Sequence, residues 1–173
     1  AVMVTGRKSH AVRLHKAREL GADYTFFCED EPVQEVLRLT GGQGADVVFD
    51  CSGGEAAITQ ATRMVKNGGW VTVIGLWGYD IKVNLDRVPY NNLTLRGSWG
   101  WAGMEVADQA VRMAMGWHSW ERALQIMAMG TVQLEPIVTR NIGMDEWRDA
   151  FEALEQKAEI KVMLYPNQKY EPE

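Results

Sequence analysis

Few residues of this 173-residue chain carry side chains suited to covalent or metal chemistry, and their spacing excludes most of it. Cys28 and Cys51 stand alone and the histidines fall at positions 10, 15 and 118, so no Cys/His set has metal-site spacing. No G-x-S-x-G turn presents a serine nucleophile. Neither G-x-G-x-x-G nor G-x-x-x-x-G-K-S/T is present as a phosphate cradle. Gly41-Gly42-Gln43-Gly44 is glycine-rich but precedes an apolar strand pattern rather than a helix, so it reads as a turn. What remains is binding chemistry at the carboxyl ends of strands, where a doubly wound sheet takes its ligands.

Positioning such a site takes an ordinary globular fold, and the composition supplies one. The chain is 46% hydrophobic and 24% charged, with a mean hydropathy of -0.23. Eighteen basic and twenty-three acidic residues leave a net charge of -5, which argues against nucleic acid or an anionic membrane surface as a partner. Two cysteines are too few for a disulfide scaffold and fit a reducing cytoplasm. The most apolar run, Trp70 to Tyr79, is too short to span a bilayer. The first letters are unusual, because Ala1 to Thr5 already read as a buried strand with no lead-in.

Strand and helix patterns alternate along the chain. Ala1–Thr5, Tyr24–Cys28, Asp46–Cys51, Trp70–Leu76 and Leu93–Ser98 read as strands. Between them, His10–Leu20 is helical, with Val12 and Leu14 toward the sheet and Gly21 as its stop. A second helix starts at Asp30-Glu31-Pro32 with a capping carboxylate, and a third, Ala56–Lys66, is closed by Asn67-Gly68-Gly69. Farther on, the spacing predicts helices over Glu105–Met115, Trp120–Met129 and Asp145–Lys157, the last with Trp147, Ala150, Phe151 and Leu154 on one face. Ile137–Ile142 and Ile160–Tyr165 are extended. This alternation predicts an α/β fold with a doubly wound parallel sheet covered on both faces.

Several short segments carry a resemblance to the medium-chain dehydrogenase/reductase superfamily. They are Glu19-Leu20-Gly21-Ala22-Asp23, the run Thr40 to Gly53 (TGGQGADVVFDCSG), Asn67-Gly68-Gly69 leading to Val73-Ile74-Gly75, Leu93 to Ser98 (LTLRGS) and Ile160 to Leu164 (IKVML). Each is short and unspecific alone, but together they run in the family's order, and the closer likeness is to the zinc-dependent alcohol and polyol dehydrogenases. The resemblance implies a Rossmann sheet lacking its first strand, with strands two to six in residues 1–100. Residues 101–173 would be the C-terminal segment that returns to the catalytic domain. Zinc ligands, proton relay and glycine fingerprint would then lie upstream, making this an incomplete chain, not active alone and with no metal ligand or catalytic residue of its own. In the order 3-2-1-4-5-6 the absent strand lies between Ala1–Thr5 and Asp46–Cys51, so direct pairing of those two would contradict this expectation.

The same resemblance assigns candidate cofactor contacts. Gly6, Arg7 and Lys8 stand where NAD-preferring members have an acid for the ribose 2'-hydroxyl, and two cations there favour the 2'-phosphate of NADP over NAD. Cys51, Ser52 and Gly53 would lie beside the nicotinamide ribose, with Cys51 a buried small residue rather than a working thiol. Backbone groups at Ile74, Gly75 and Leu76, and at Ser98 and Trp99, would bond the nicotinamide carboxamide. Lys161 would meet the pyrophosphate. Trp77, Trp99 and Trp101, among seven tryptophans, could wall a substrate pocket, while core or interface packing accounts for them equally well. Trp117, Trp120 and Trp147, with Met113, Met115, Met127 and Met129, read as helix packing, and His118 as a surface or capping residue.

The implied function is cofactor binding in an NAD(P)-dependent oxidoreductase that moves hydride between an alcohol or polyol and nicotinamide. The parent enzyme would bind zinc and form a homodimer through the strand near Leu93–Ser98. Two alternatives stay open. One is a zinc-independent quinone or enoyl reductase of the same superfamily. The other is a non-catalytic α/β dimerisation or binding module.

Overall fold

β-branched and apolar residues at the start of the chain form β1 (Met3–Gly6), which pairs in parallel with β2 (Tyr24–Phe27), from Met3 opposite Tyr24 to Gly6 opposite Phe27. The crossover is α1 (Ala11–Glu19), which ends where Gly21 turns with φ 100°. A computed structural model provides these coordinates and describes residues 1–98 and 119–166. Leu14 is the buried residue of α1, whereas Val12 is 50% exposed, contrary to the expectation that both face the sheet. Residues two apart on a helix point to nearly opposite sides, so only one of them can pack inward.

The following segment makes a three-stranded parallel sheet in the order β3-β4-β5, with β3 at Ala45–Asp50, β4 at Val65–Val73 and β5 at Thr94–Gly97. Two helices belong to it, α2 (Pro32–Leu39) and α3 (Glu55–Met64). Pro32 occupies the first turn of α2 as expected, but no side chain caps the helix, whose N-cap is Glu31 in a left-handed conformation. The Asp30 carboxylate is instead 2.6 Å from Lys8 Nζ. Asn67-Gly68-Gly69 also differs from expectation, since α3 stops at Met64 and the three residues lie inside β4. Ala45 opposes Val65 but Val47 opposes Trp70, so the glycines form a bulge that lets β4 leave and rejoin the ladder.

The core of this sheet is Ile58, Ala61, Val65, Val71 and Leu93. The irregular stretch after β4 forms the short α4 (Arg87–Tyr90) and packs Ile81, Val83 and Val88 on that core.

Toward the C-terminus, α5 (Ser119–Ala128) is followed by a β-α-β unit, β6 (Val138–Gly143), α6 (Trp147–Glu155) and β7 (Lys161–Tyr165), with its strands parallel. Ala150 is 1% exposed and forms the inner contact of α6. Trp147 and Phe151 are exposed, and their rings meet edge to face at 6.0 Å, so the apolar stripe is only partly buried. Met127 and Met129 are likewise exposed rather than packed. The expected helix Glu105–Met115, together with Trp99, Trp101, Trp117 and His118, lies outside the described residues.

By contacts, Ala1–Asp30 with Ala123–Glu173 form one compact unit, and Glu31–Arg122 form another. Among the described residues the strand orders are β1-β2, β3-β4-β5 and β6-β7, each sheet parallel. No helix among the described residues is long and apolar enough to cross a membrane.

Candidate functional site

In the Glu31–Arg122 unit, the carboxyl ends of β3 and β4 are held together by one buried acid. Asp50, 4% exposed, accepts from the backbone and hydroxyl of Ser52 at Oδ1, at 3.0 and 2.8 Å. Its carbonyl accepts from the amides of Ile74 and Gly75 at 2.8 and 2.9 Å. Ser52 Oγ in turn accepts from the Gly54 amide at 3.1 Å, fixing the turn that enters α3. The two turns touch backbone to backbone. A Cβ on Gly75 would lie 2.3 Å from Gly53 N, and one on Gly53, whose φ is +65°, would lie 2.1 Å from Leu76 O. Only glycines permit this approach of the two turns.

The structure therefore brings Cys51, Ser52 and Gly53 against Ile74, Gly75 and Leu76. Ser98 lies at the end of the neighbouring strand, its amide donating to the Val73 carbonyl at 2.9 Å. Trp77 packs on the core, and its Nε1, like Asp50 Oδ2, is buried without a hydrogen-bond partner among the described residues. Cys51 is exposed, not buried as expected from its type. Partial burial of the thiol and the adjacent Asp50 charge push its pKa above the ordinary 9.0, so it stays protonated at neutral pH. Iodoacetamide labelling followed by mass spectrometry is expected to show slow Cys51 alkylation at pH 7, rising only at a higher pH than for an ordinary thiol. Fast labelling at neutral pH would contradict this.

In the other unit, Gly6 ends β1 beneath α1, and a Cβ there would press on Leu14 at 3.2 Å. The Lys8 amide donates to the Glu29 carboxylate at 3.1 and 3.3 Å. Lys8 Nζ pairs with Asp30 and lies 5.9 Å from the centre of the Phe27 ring. Hydrogen bonding to Asp30, followed by its charge, raises the Lys8 pKa. The Arg7 guanidinium has no hydrogen bond or ion pair among the described residues. Burial, then the Arg13, Lys157 and Arg7 charges, lowers the His10 pKa. Lys161 opens β7 opposite Val138, its side chain exposed.

Glu29, Asp30 and Asp50 were not legible as site residues. The available signal is that each is an acid at the carboxyl end of a strand. A cleft of about 500 Å³ lies elsewhere, at the amino ends of β3 and β4, where Arg63, Lys66 and Arg87 line it. Among the described residues no group of three His, Cys, Asp or Glu is placed to hold a metal ion.

The family model described as zinc-binding dehydrogenase matches residues 1–128. This chain belongs to the zinc-binding dehydrogenase family. It is 30% identical over 167 residues to a sorbitol dehydrogenase of Halalkalibacterium halodurans, a match covering 95% of this chain and 45% of that protein. The fold superposes on 2R,3R-butanediol dehydrogenase from Bacillus subtilis with a TM-score of 0.76 at 22% identity, covering 95% of this chain and 43% of that one. A solved chain from Sinorhizobium meliloti 1021 that is bound to NADP gives a TM-score of 0.70 at 24% identity, covering 96% and 45%. This zinc-binding dehydrogenase family member thus spans less than half the length of these relatives, and it matches their C-terminal cofactor-binding part.

Proposed function

We propose that this chain binds the nicotinamide dinucleotide of an NAD(P)-dependent oxidoreductase acting on an alcohol or polyol and its carbonyl product. The observation that carries this is the glycine-to-glycine contact of Gly53 with Gly75 and Leu76, held by Asp50 at the strand carboxyl ends of a family member. When bound, the nicotinamide accepts or supplies hydride. Backbone groups at Ile74, Gly75, Leu76 and Ser98 hold the carboxamide and so select the ring face that reacts. Ser52, fixed by Asp50, meets the nicotinamide ribose. Arg7 and Lys8 favour the 2'-phosphate of NADP, and Lys161 meets the pyrophosphate. No role for zinc is derived from the described residues.

Residues 1–100 form the nucleotide-binding part and residues 101–173 the returning segment of the catalytic domain. The chain forms a homodimer through β5, which is an edge strand among the described residues and whose four residues are all exposed. Its compartment is the cytoplasm, consistent with neither Cys28 nor Cys51 forming a disulfide. Calorimetric titration of the full-length protein tests the reading. NADP is expected to bind more tightly than NAD, and binding of neither would overturn it.

A further inference from the structure

At the carboxyl ends of β1 and β2, two cations meet two acids, and the pairing is unequal. Lys8 is committed twice, its amide to Glu29 at 3.1 Å and its ammonium to Asp30 at 2.6 Å. Arg7, its neighbour in the same turn, has no hydrogen bond or ion pair at its guanidinium among the described residues. The Lys8 and Asp30 side chains are more than half exposed, so an incoming anion can displace the carboxylate from the ammonium. Either way, Glu29 and Asp30 bring negative charge to the place where a 2'-phosphate would be received, and a neutral 2'-hydroxyl would not feel that repulsion.

We propose that Glu29 and Asp30 are specificity-determining residues that hold down the preference for a 2'-phosphorylated nucleotide, leaving Arg7 as its principal cation. This rests on the cofactor reading above, and it adds that selectivity is set by β2 as well as by the turn after β1. Asp30 competes with the phosphate for the Lys8 ammonium. Neutralising Asp30 releases that ammonium, and neutralising either acid removes repulsion, while contacts to the rest of the adenosine stay as they were.

The test uses adenosine 2'-monophosphate and adenosine 5'-monophosphate as probes, titrated by calorimetry into the full-length protein and its E29Q, D30N and R7A variants. E29Q and D30N are each expected to tighten the 2'-phosphate probe about threefold and to leave the 5'-phosphate probe within about twofold. R7A is expected to weaken the 2'-phosphate probe about tenfold, the loss of one charge-assisted contact. The gains in E29Q and D30N should shrink at high salt, because exposed charges are screened there, whereas a merely structural effect would persist. If E29Q and D30N bind both probes as the parent does, this inference falls and the cofactor reading stands. If the parent and all variants bind neither probe, the cofactor reading falls and this inference with it.

Discussion

Replacing Gly75 by alanine is expected to abolish measurable cofactor binding and to destabilise the fold by about 3 kcal/mol, since overpacking against immobile atoms costs that order. The added Cβ would lie 2.3 Å from Gly53 N and 2.9 Å from both Cys51 C and Ser52 N. All three are backbone atoms, so no side chain can rotate away, and one strand end must shift. That shift would break the pair of hydrogen bonds from Ile74 and Gly75 to the Asp50 carbonyl, which sets the spacing between the two turns. Gly97→Ala is the matched control, because a Cβ there meets nothing within 4 Å. Urea denaturation and nucleotide titration of both variants check this. Normal stability and affinity in Gly75→Ala would show that the cradle does not need its close approach.

The alternation of strands and helices was legible because apolar runs bounded by Gly and Pro carry the pattern locally, as at Asp46–Cys51 before Ser52-Gly53. The glycines at 53 and 75 were legible as turn residues, but not as a contact, since no local rule relates positions so far apart in the chain. Asp30 shows the same limit. An acid before Pro32 fits a helix cap, and the outcome was decided by Lys8 across the β1–β2 ladder, which offers a full charge in place of backbone amides. At Asn67-Gly68-Gly69, a helix stop and a strand bulge have the same composition. The choice fell to Gly44, where a Cβ would lie 2.6 Å from Met64 O, so the chain there can pass close to the end of α3. Asp50 reads as one more residue of an apolar strand, and its role emerges only from the turn it folds back upon.

Ile58→Ala is expected to cost about 3.5 kcal/mol, within the usual span for truncating a buried aliphatic side chain. Ile58 is 1% exposed and packs with Ala61, Val65, Val71 and Leu93, so its loss opens a void between α3 and the sheet. That is a large share of the roughly 5–15 kcal/mol that holds a typical domain together. Ile58→Val removes a single methylene and should cost about 1 kcal/mol, which separates cavity formation from any change in helix propensity. The effect on ligand binding is expected to be small at temperatures where the variant stays folded. Neither the Ser52-to-Asp50 bonds nor the contact of Gly53 with Leu76 involves Ile58 or the cluster it packs in. Ile58→Ala should therefore lower the melting temperature sharply and leave nucleotide affinity nearly unchanged, whereas Gly75→Ala lowers both. If Ile58→Ala instead abolished binding while leaving stability intact, the site would depend on the pose of α3 rather than on the two glycine turns.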